Sequence, residues 1–172
     1  MKGNNIFFVA VFLILVASCN KSSLTDAELK SGVNKTLDNW HQAVADANFD
    51  KYFSYMSKDA VFIGTDASEN WKIADFKIFC KPYFKKKKTW HFIPLQRNVY
   101  FDNSKNIAWF DELLKTDMGI CRGSGVLTRN KNKWKIKQYV LSLTIPNKNV
   151  DSIIKLNKEH DIIFLRKLKK QY

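Results

Sequence analysis

The chain has 172 residues, a formal charge of +13 from 29 basic and 16 acidic side chains, and a composition that is 45% apolar and 14% aromatic. A chain of this size supports one domain with a real core, and its apolar content excludes an intrinsically disordered protein. The charge does not mark a nucleic-acid reader: only Arg97, Arg122, Arg129 and Arg166 are arginines, the other basic residues are lysines spread along the chain, and dedicated phosphate or base readers lean on the bidentate guanidinium fork.

In chain order, Lys2 precedes an apolar run from Ile6 to Ala17. This is too short to cross a bilayer core of ~30 Å as a mature helix and reads as an export signal. Val16-Ala17-Ser18-Cys19 resembles the lipobox of bacterial lipoproteins, in which the cysteine is lipidated and becomes the first residue. The resemblance implies a signal peptide over 1–18, lipidation of Cys19, a polar tether over 19–30, and a cell-envelope membrane protein facing the periplasm or the surface. Anionic headgroups near such an anchor are then the natural partner of the positive charge. Ordinary secretory cleavage is the alternative.

Thr25 with Glu28 fits a capping box, and Val33, Leu37, Trp40, Val44 and Ala47 recur at helical spacing. A second short helix is expected from Phe49 to Met56. Asp59–Thr65 reads as a strand, 66–71 as a loop, and Ile73, Phe76, Cys80, Tyr83 and Phe84 as a helix ending in the Lys85–Lys88 run, with Pro82 kinking it. The pattern then changes to period two, predicting strands Thr89–Asp102, Asn106–Thr116, Ile120–Arg129 and Lys133–Ile145, joined by hairpin turns. In the last strand, Trp134, Ile136, Gln138, Val140 and Ser142 are expected on one face. Tyr139, Leu141 and Leu143 fall on the other, too apolar for water and suited to a homodimer interface or cover by a basic terminal helix over 148–172. Cys80 lies on an apolar stripe, so Cys80 and Cys121 are read as unbridged core thiols, although an oxidising compartment permits a bridge. Helices followed by an antiparallel meander predict an α+β domain over 31–147 whose sheet curls around a helix.

Four segments carry a resemblance: Val61-Phe62-Ile63-Gly64-Thr65-Asp66…Glu69-Asn70-Trp71, Ala108-Trp109-Phe110-Asp111-Glu112-Leu113, Arg122-Gly123-Ser124-Gly125-Val126-Leu127 and Trp134-Lys135-Ile136…Gln138-Tyr139. Together they resemble the SnoaL-like branch of the nuclear transport factor 2-like superfamily. The resemblance implies a cone-shaped curved antiparallel sheet wrapped on N-terminal helices with a pocket between them, and frequent homodimers through the outer sheet face. It does not imply one activity, since the superfamily holds isomerases, cyclases, dehydratases and members that only bind or assemble.

An enzyme of this kind needs a carboxylate with a raised pKa in an apolar wall. The candidates are Asp66, Asp111 and Glu112, with His41 or Tyr55 as partner. Asp66 equally fits a loop residue capping its own turn. Asp111 and Glu112 are adjacent in an apolar strand, so one of them faces the buried side. The hairpin at 117–119 puts Asp111 opposite or one pair from Arg122 and Ser124, and an Asp–Arg pair would hold the carboxylate ionised. Neither His41 nor His91 has a partner at dyad spacing, no cluster has metal-ligand spacing, and no cofactor motif occurs. Tyr55, Trp71 and Trp90 are expected to line the pocket, with Asp66, Asp111, Arg122 and Ser124 as polar contacts. The leading expectation is a tethered pocket domain that binds a small, partly apolar molecule or serves as an interaction module. An isomerase, cyclase or dehydratase using Asp66 or Asp111 with His41 or Tyr55 is the alternative, and a third reading is a purely structural dimer whose cone is filled by its own side chains, to which a cavity below ~300 Å³ would point.

Overall fold

Thr25 opens the first helix as the sequence suggests. Its hydroxyl accepts the Glu28 N–H at 3.3 Å, and the Glu28 carboxylate accepts the Thr25 N–H at 2.7 Å. These bonds satisfy donors that the first turn leaves free. In the computed structural model, which describes residues 24–170, the helix so started (α1, Asp26–Ala45) buries Leu29, Val33, Leu37, Trp40 and Val44 along one stripe. The export segment and Cys19 lie outside the described residues. Ala47, expected on the same stripe, falls after the helix end with φ of 51°.

The elements that follow are α2 (Phe49–Ser54), β1 (Met56–Ile63), β2 (Asn70–Lys72), α3 (Ile73–Lys85), β3 (Ile93–Phe101), β4 (Ile107–Thr116), β5 (Gly119–Asn130), β6 (Lys133–Leu143) and α4 (Val150–Leu168). The six strands form one curved, unclosed sheet in the order β2-β1-β6-β5-β4-β3. Strands β3 to β6 are the expected antiparallel meander. The β5–β6 hairpin uses Lys131 and Asn132, both at positive φ (47° and 63°), the backbone of a two-residue turn that matches strand twist. β1 joins parallel to β6, carried there by the intervening helices and meander. Asn70 and Trp71, expected in a loop, join Lys72 to add β2 at its edge.

Two expectations are corrected. The first strand of the meander, β3, begins at Ile93 rather than Thr89, so Trp90 and Phe92 sit on an irregular segment. The faces of β6 also exchange midway. Ile136 pairs with Leu127 and Gln138 with Val126, so Lys137 is an extra residue, and such a bulge inverts the alternation beyond it. Trp134, Ile136, Tyr139 and Leu141 therefore all face the core, with Tyr139 1% and Leu141 5% exposed. The row proposed as an outer dimer face points inward, apart from exposed Leu143 at the strand end. Cys80 and Cys121 are both buried and unbridged. Burial pushes the Cys80 thiol up to about 12, which leaves it inert at neutral pH.

Candidate functional site

Two arrangements fill the space between the helices and the sheet. The first is a hollow of about 260 Å³. It is walled by Tyr52 from α2, Phe62 from β1, Trp71 from β2, Phe76, Phe79 and Tyr83 from α3, Trp90 and Phe92 from the segment before β3, and Leu141 from β6. Gly64, Thr65 and Glu69 of the β1–β2 loop and Met118 of the β4–β5 turn complete it. The rings brace one another: Phe62 stacks on Phe76 at 4.1 Å, Trp71 on Phe79 at 4.6 Å, and Trp90 against Tyr83 at 5.0 Å. The space is smaller than the ~300 Å³ where drug-sized sites begin. It is larger than the roughly 150 Å³ apolar cavity known to admit benzene. A molecule of one or two rings, or a short branched chain, fits.

The second arrangement is a buried charge cluster beneath the sheet. Glu112 on β4 is fully buried. Its Oε1 accepts from His41 Nε2 at 2.8 Å and from the Tyr139 hydroxyl at 3.0 Å; its Oε2 accepts from Arg97 Nε at 2.8 Å. Arg97 reaches on to Asp38 at 2.7 Å, so α1 is tied to β3 and β4 through charge. Burial pulls the Glu112 carboxyl upward, but His41 and Arg97 outweigh it and hold the group below the ordinary glutamate range. An ionised Glu112 only accepts, so His41 carries its proton on Nε2. Burial together with Glu112 pushes the Tyr139 hydroxyl well above the ordinary tyrosine value. Gly123 makes the cluster possible: a Cβ there would stand 2.2 Å from the Tyr139 hydroxyl oxygen and 3.0 Å from Glu112 Cγ. None of these charged groups lines the hollow. Tyr139, stacked on Phe62 at 5.6 Å, stands between the two arrangements.

Of the residues singled out from sequence, Trp71 and Trp90 line the hollow. Asp66 is exposed and caps its own turn, accepting the Ser68 N–H at 2.8 Å and hydroxyl at 2.5 Å, which lowers its carboxyl. Asp111 faces outward, opposite Ser124 in register and 3.6 Å from Arg122. That is the pairing the hairpin implied, but it lies on the wrong face for the pocket. Tyr55 ends α2 and borders a separate surface groove beside Trp134. His41, read as partnerless, is bonded to Glu112 across 71 positions. A signal for part of this was present: the 102–105 turn sets Arg97 directly opposite Glu112. Glu69, Phe79, Tyr83, Phe92 and Met118 are not singled out for the pocket, because spacing shows the helix that carries Phe79 and Tyr83 but not which strands and loops close around it. Among the described residues, no group of three or more His, Cys, Asp or Glu stands close enough to hold a metal.

A SnoaL-like domain model matches residues 33–146. No curated protein matches the sequence. Solved structures match the fold at low identity. A domain of unknown function with a cystatin-like fold from Nostoc punctiforme PCC 73102 is 15% identical, covers 87% of this chain and 100% of its own, and superposes with a TM-score of 0.63. A candidate dehydratase of the nuclear transport factor 2-like family from Streptomyces avermitilis is 10% identical over 70% of this chain and 99% of its own, with a TM-score of 0.61. A candidate ketosteroid isomerase from Shewanella frigidimarina NCIMB 400 is 12% identical over 66% and 97%, with a TM-score of 0.55. At these identities the likeness establishes the fold.

Proposed function

Because the chain belongs to the SnoaL-like domain family, whose fold surrounds a hollow, we propose that it binds a small, partly apolar molecule there without transforming it. The observation that carries this reading is the composition of the wall. Nine of its side chains are aromatic rings or Leu141, which favour apolar contact. The enzyme reading loses its groups: Asp66, Asp111, His41 and Tyr55 all stand away from the hollow. Glu112 is committed to three donors and held ionised, whereas abstraction of a proton from carbon needs a raised carboxylate with access to the substrate.

Binding is tested with fluorobenzene observed by ¹⁹F NMR. The wild-type protein is expected to broaden and shift the signal saturably, and Leu141→Trp, which fills the hollow, to abolish the effect. An unchanged response from Leu141→Trp, or none from the wild type, contradicts the reading.

The tether belongs to the same proposal. The order Val16-Ala17-Ser18-Cys19 supports lipidation at Cys19 and an exported, membrane-anchored position. Among the described residues no helix is long and apolar enough to cross a membrane; the anchor in this reading is the acyl chain on Cys19. Cells fed a fatty-acid analogue are expected to label the wild-type protein and not Cys19→Ala. Persistence of the label in the variant contradicts the assignment.

A further inference from the structure

We infer that the hollow selects an organic cation, an ammonium group carrying methyl or short alkyl substituents, held among the rings with Glu69 as its counter-charge. This rests on the pocket reading above and narrows its ligand class. In a chain with a formal charge of +13, no lysine, arginine or histidine among the described residues lines the hollow, and Glu69 is the single charged side chain among them that does. The local sign is thus opposite to that of the molecule.

The carboxylate is placed by the loop around it. The Gly64 N–H donates to the Glu69 carbonyl and the Glu69 N–H to the Asp66 carbonyl, each at 2.9 Å, closing the loop. Glu69 Oε2 accepts the Asp66 N–H at 3.3 Å. It also lies so close over Gly64 that a Cβ there would stand 2.1 Å away. Glycine at 64 is therefore what lets the carboxylate lie across the mouth. Trp71, Phe79, Tyr83 and Trp90 supply the complementary surface, since aromatic rings carry negative charge on their faces and attract cations, most strongly when water is excluded. An anion would meet the Glu69 carboxylate with no positive group to offset it. A neutral molecule would leave that half-buried carboxylate with the Asp66 N–H but no counter-charge.

Three water-soluble probes of one shape test this in the full chain: choline, its uncharged carbon isostere 3,3-dimethylbutan-1-ol, and the anion 3,3-dimethylbutanoate. Affinity is read by the emission of Trp71 and Trp90, checked by calorimetry. Choline is expected to bind about tenfold more tightly than the alcohol, and the anion not measurably. Glu69→Gln is expected to bring choline and the alcohol within about threefold, chiefly by weakening choline. Gly64→Ala, which retains the carboxylate but displaces it, is expected to weaken choline alone. If the alcohol binds as tightly as choline, or Glu69→Gln leaves the preference intact, the cation assignment falls while the pocket reading stands. If neither these probes nor fluorobenzene binds, both fall.

Discussion

Glu112→Gln is expected to lower stability by about 3–5 kcal/mol, the usual cost of removing one partner from a buried ion pair. Glutamine keeps the shape and an acceptor for His41 and Tyr139, but it strands the Arg97 guanidinium, which then has only Asp38 as counter-charge. For a domain of this size, that corresponds to a fall in Tm of about 10–20 °C by circular dichroism. Adding Arg97→Met to Glu112→Gln is expected to recover part of the loss, because the stranded charge leaves with it. A change below about 1 kcal/mol for Glu112→Gln would show the pair to be solvated. The same cluster sets a pH dependence. Glu112 is held below its ordinary value in the folded protein, through the His41 and Arg97 contacts that outweigh burial, so the unfolded chain takes up its proton first on acidification. Its contribution is full above the ordinary glutamate range near 4.5 and lost as pH falls through the lower folded value. Denaturant melts at stepped pH should show wild-type stability dropping in that acid range and a flatter profile for Glu112→Gln.

The second large effect is expected at Gly123, where no side chain has room. Alanine would bring a methyl group within 2.2 Å of the Tyr139 oxygen. That ring cannot yield easily, since it is buried, edge-on to Trp40 at 4.7 Å and stacked on Phe62 at 5.6 Å. Overpacking of about 1–3 kcal/mol together with a weakened bond to Glu112 of about 1 kcal/mol gives an expected loss of about 2–4 kcal/mol. In a Tyr139→Phe background, which removes the nearest atom, Gly123→Ala should cost less. Equal costs in the two backgrounds, measured by chemical denaturation, would mean that the clash is relieved elsewhere.

What was readable in the sequence was whatever is decided locally. The Thr25–Glu28 box and the Leu37–Trp40–Val44 stripe follow from bonds and spacing within one helix. The hairpin turns fixed the register that pairs Asp111 with Ser124. The strand face past Lys137 is misread because one extra residue on β6 inverts alternation: the apolar positions pass from Trp134 and Ile136 to Tyr139, Leu141 and Leu143, a change of parity that strict period-two counting assigns to an outer face. The buried cluster was missed for a different reason. Its members come from α1, β3, β4 and β6, and only the Arg97–Glu112 pair is set by a single turn; His41 arrives through packing. The hollow is the extreme case, since its rings come from α2, β1, β2, α3 and an irregular segment, with Leu141 from β6. Trp71 and Trp90 were identified as pocket residues through their large, partly polar rings. Asp66 is expected there through Gly64, Thr65 and Trp71, which do line the hollow while Asp66 itself turns to Ser68; Arg122 and Ser124 are expected there through their hairpin pairing with Asp111, which lies on the outward face.

The account depends on a space inside the cone that stays open and receives a guest. Its most direct test is a crystal structure of the protein grown with fluorobenzene. The guest is expected as density bounded by Phe62, Trp71, Phe79 and Trp90, with those rings near their present stacking. Rings collapsed into a filled interior, with fluorobenzene absent or bound outside the cone, would contradict it.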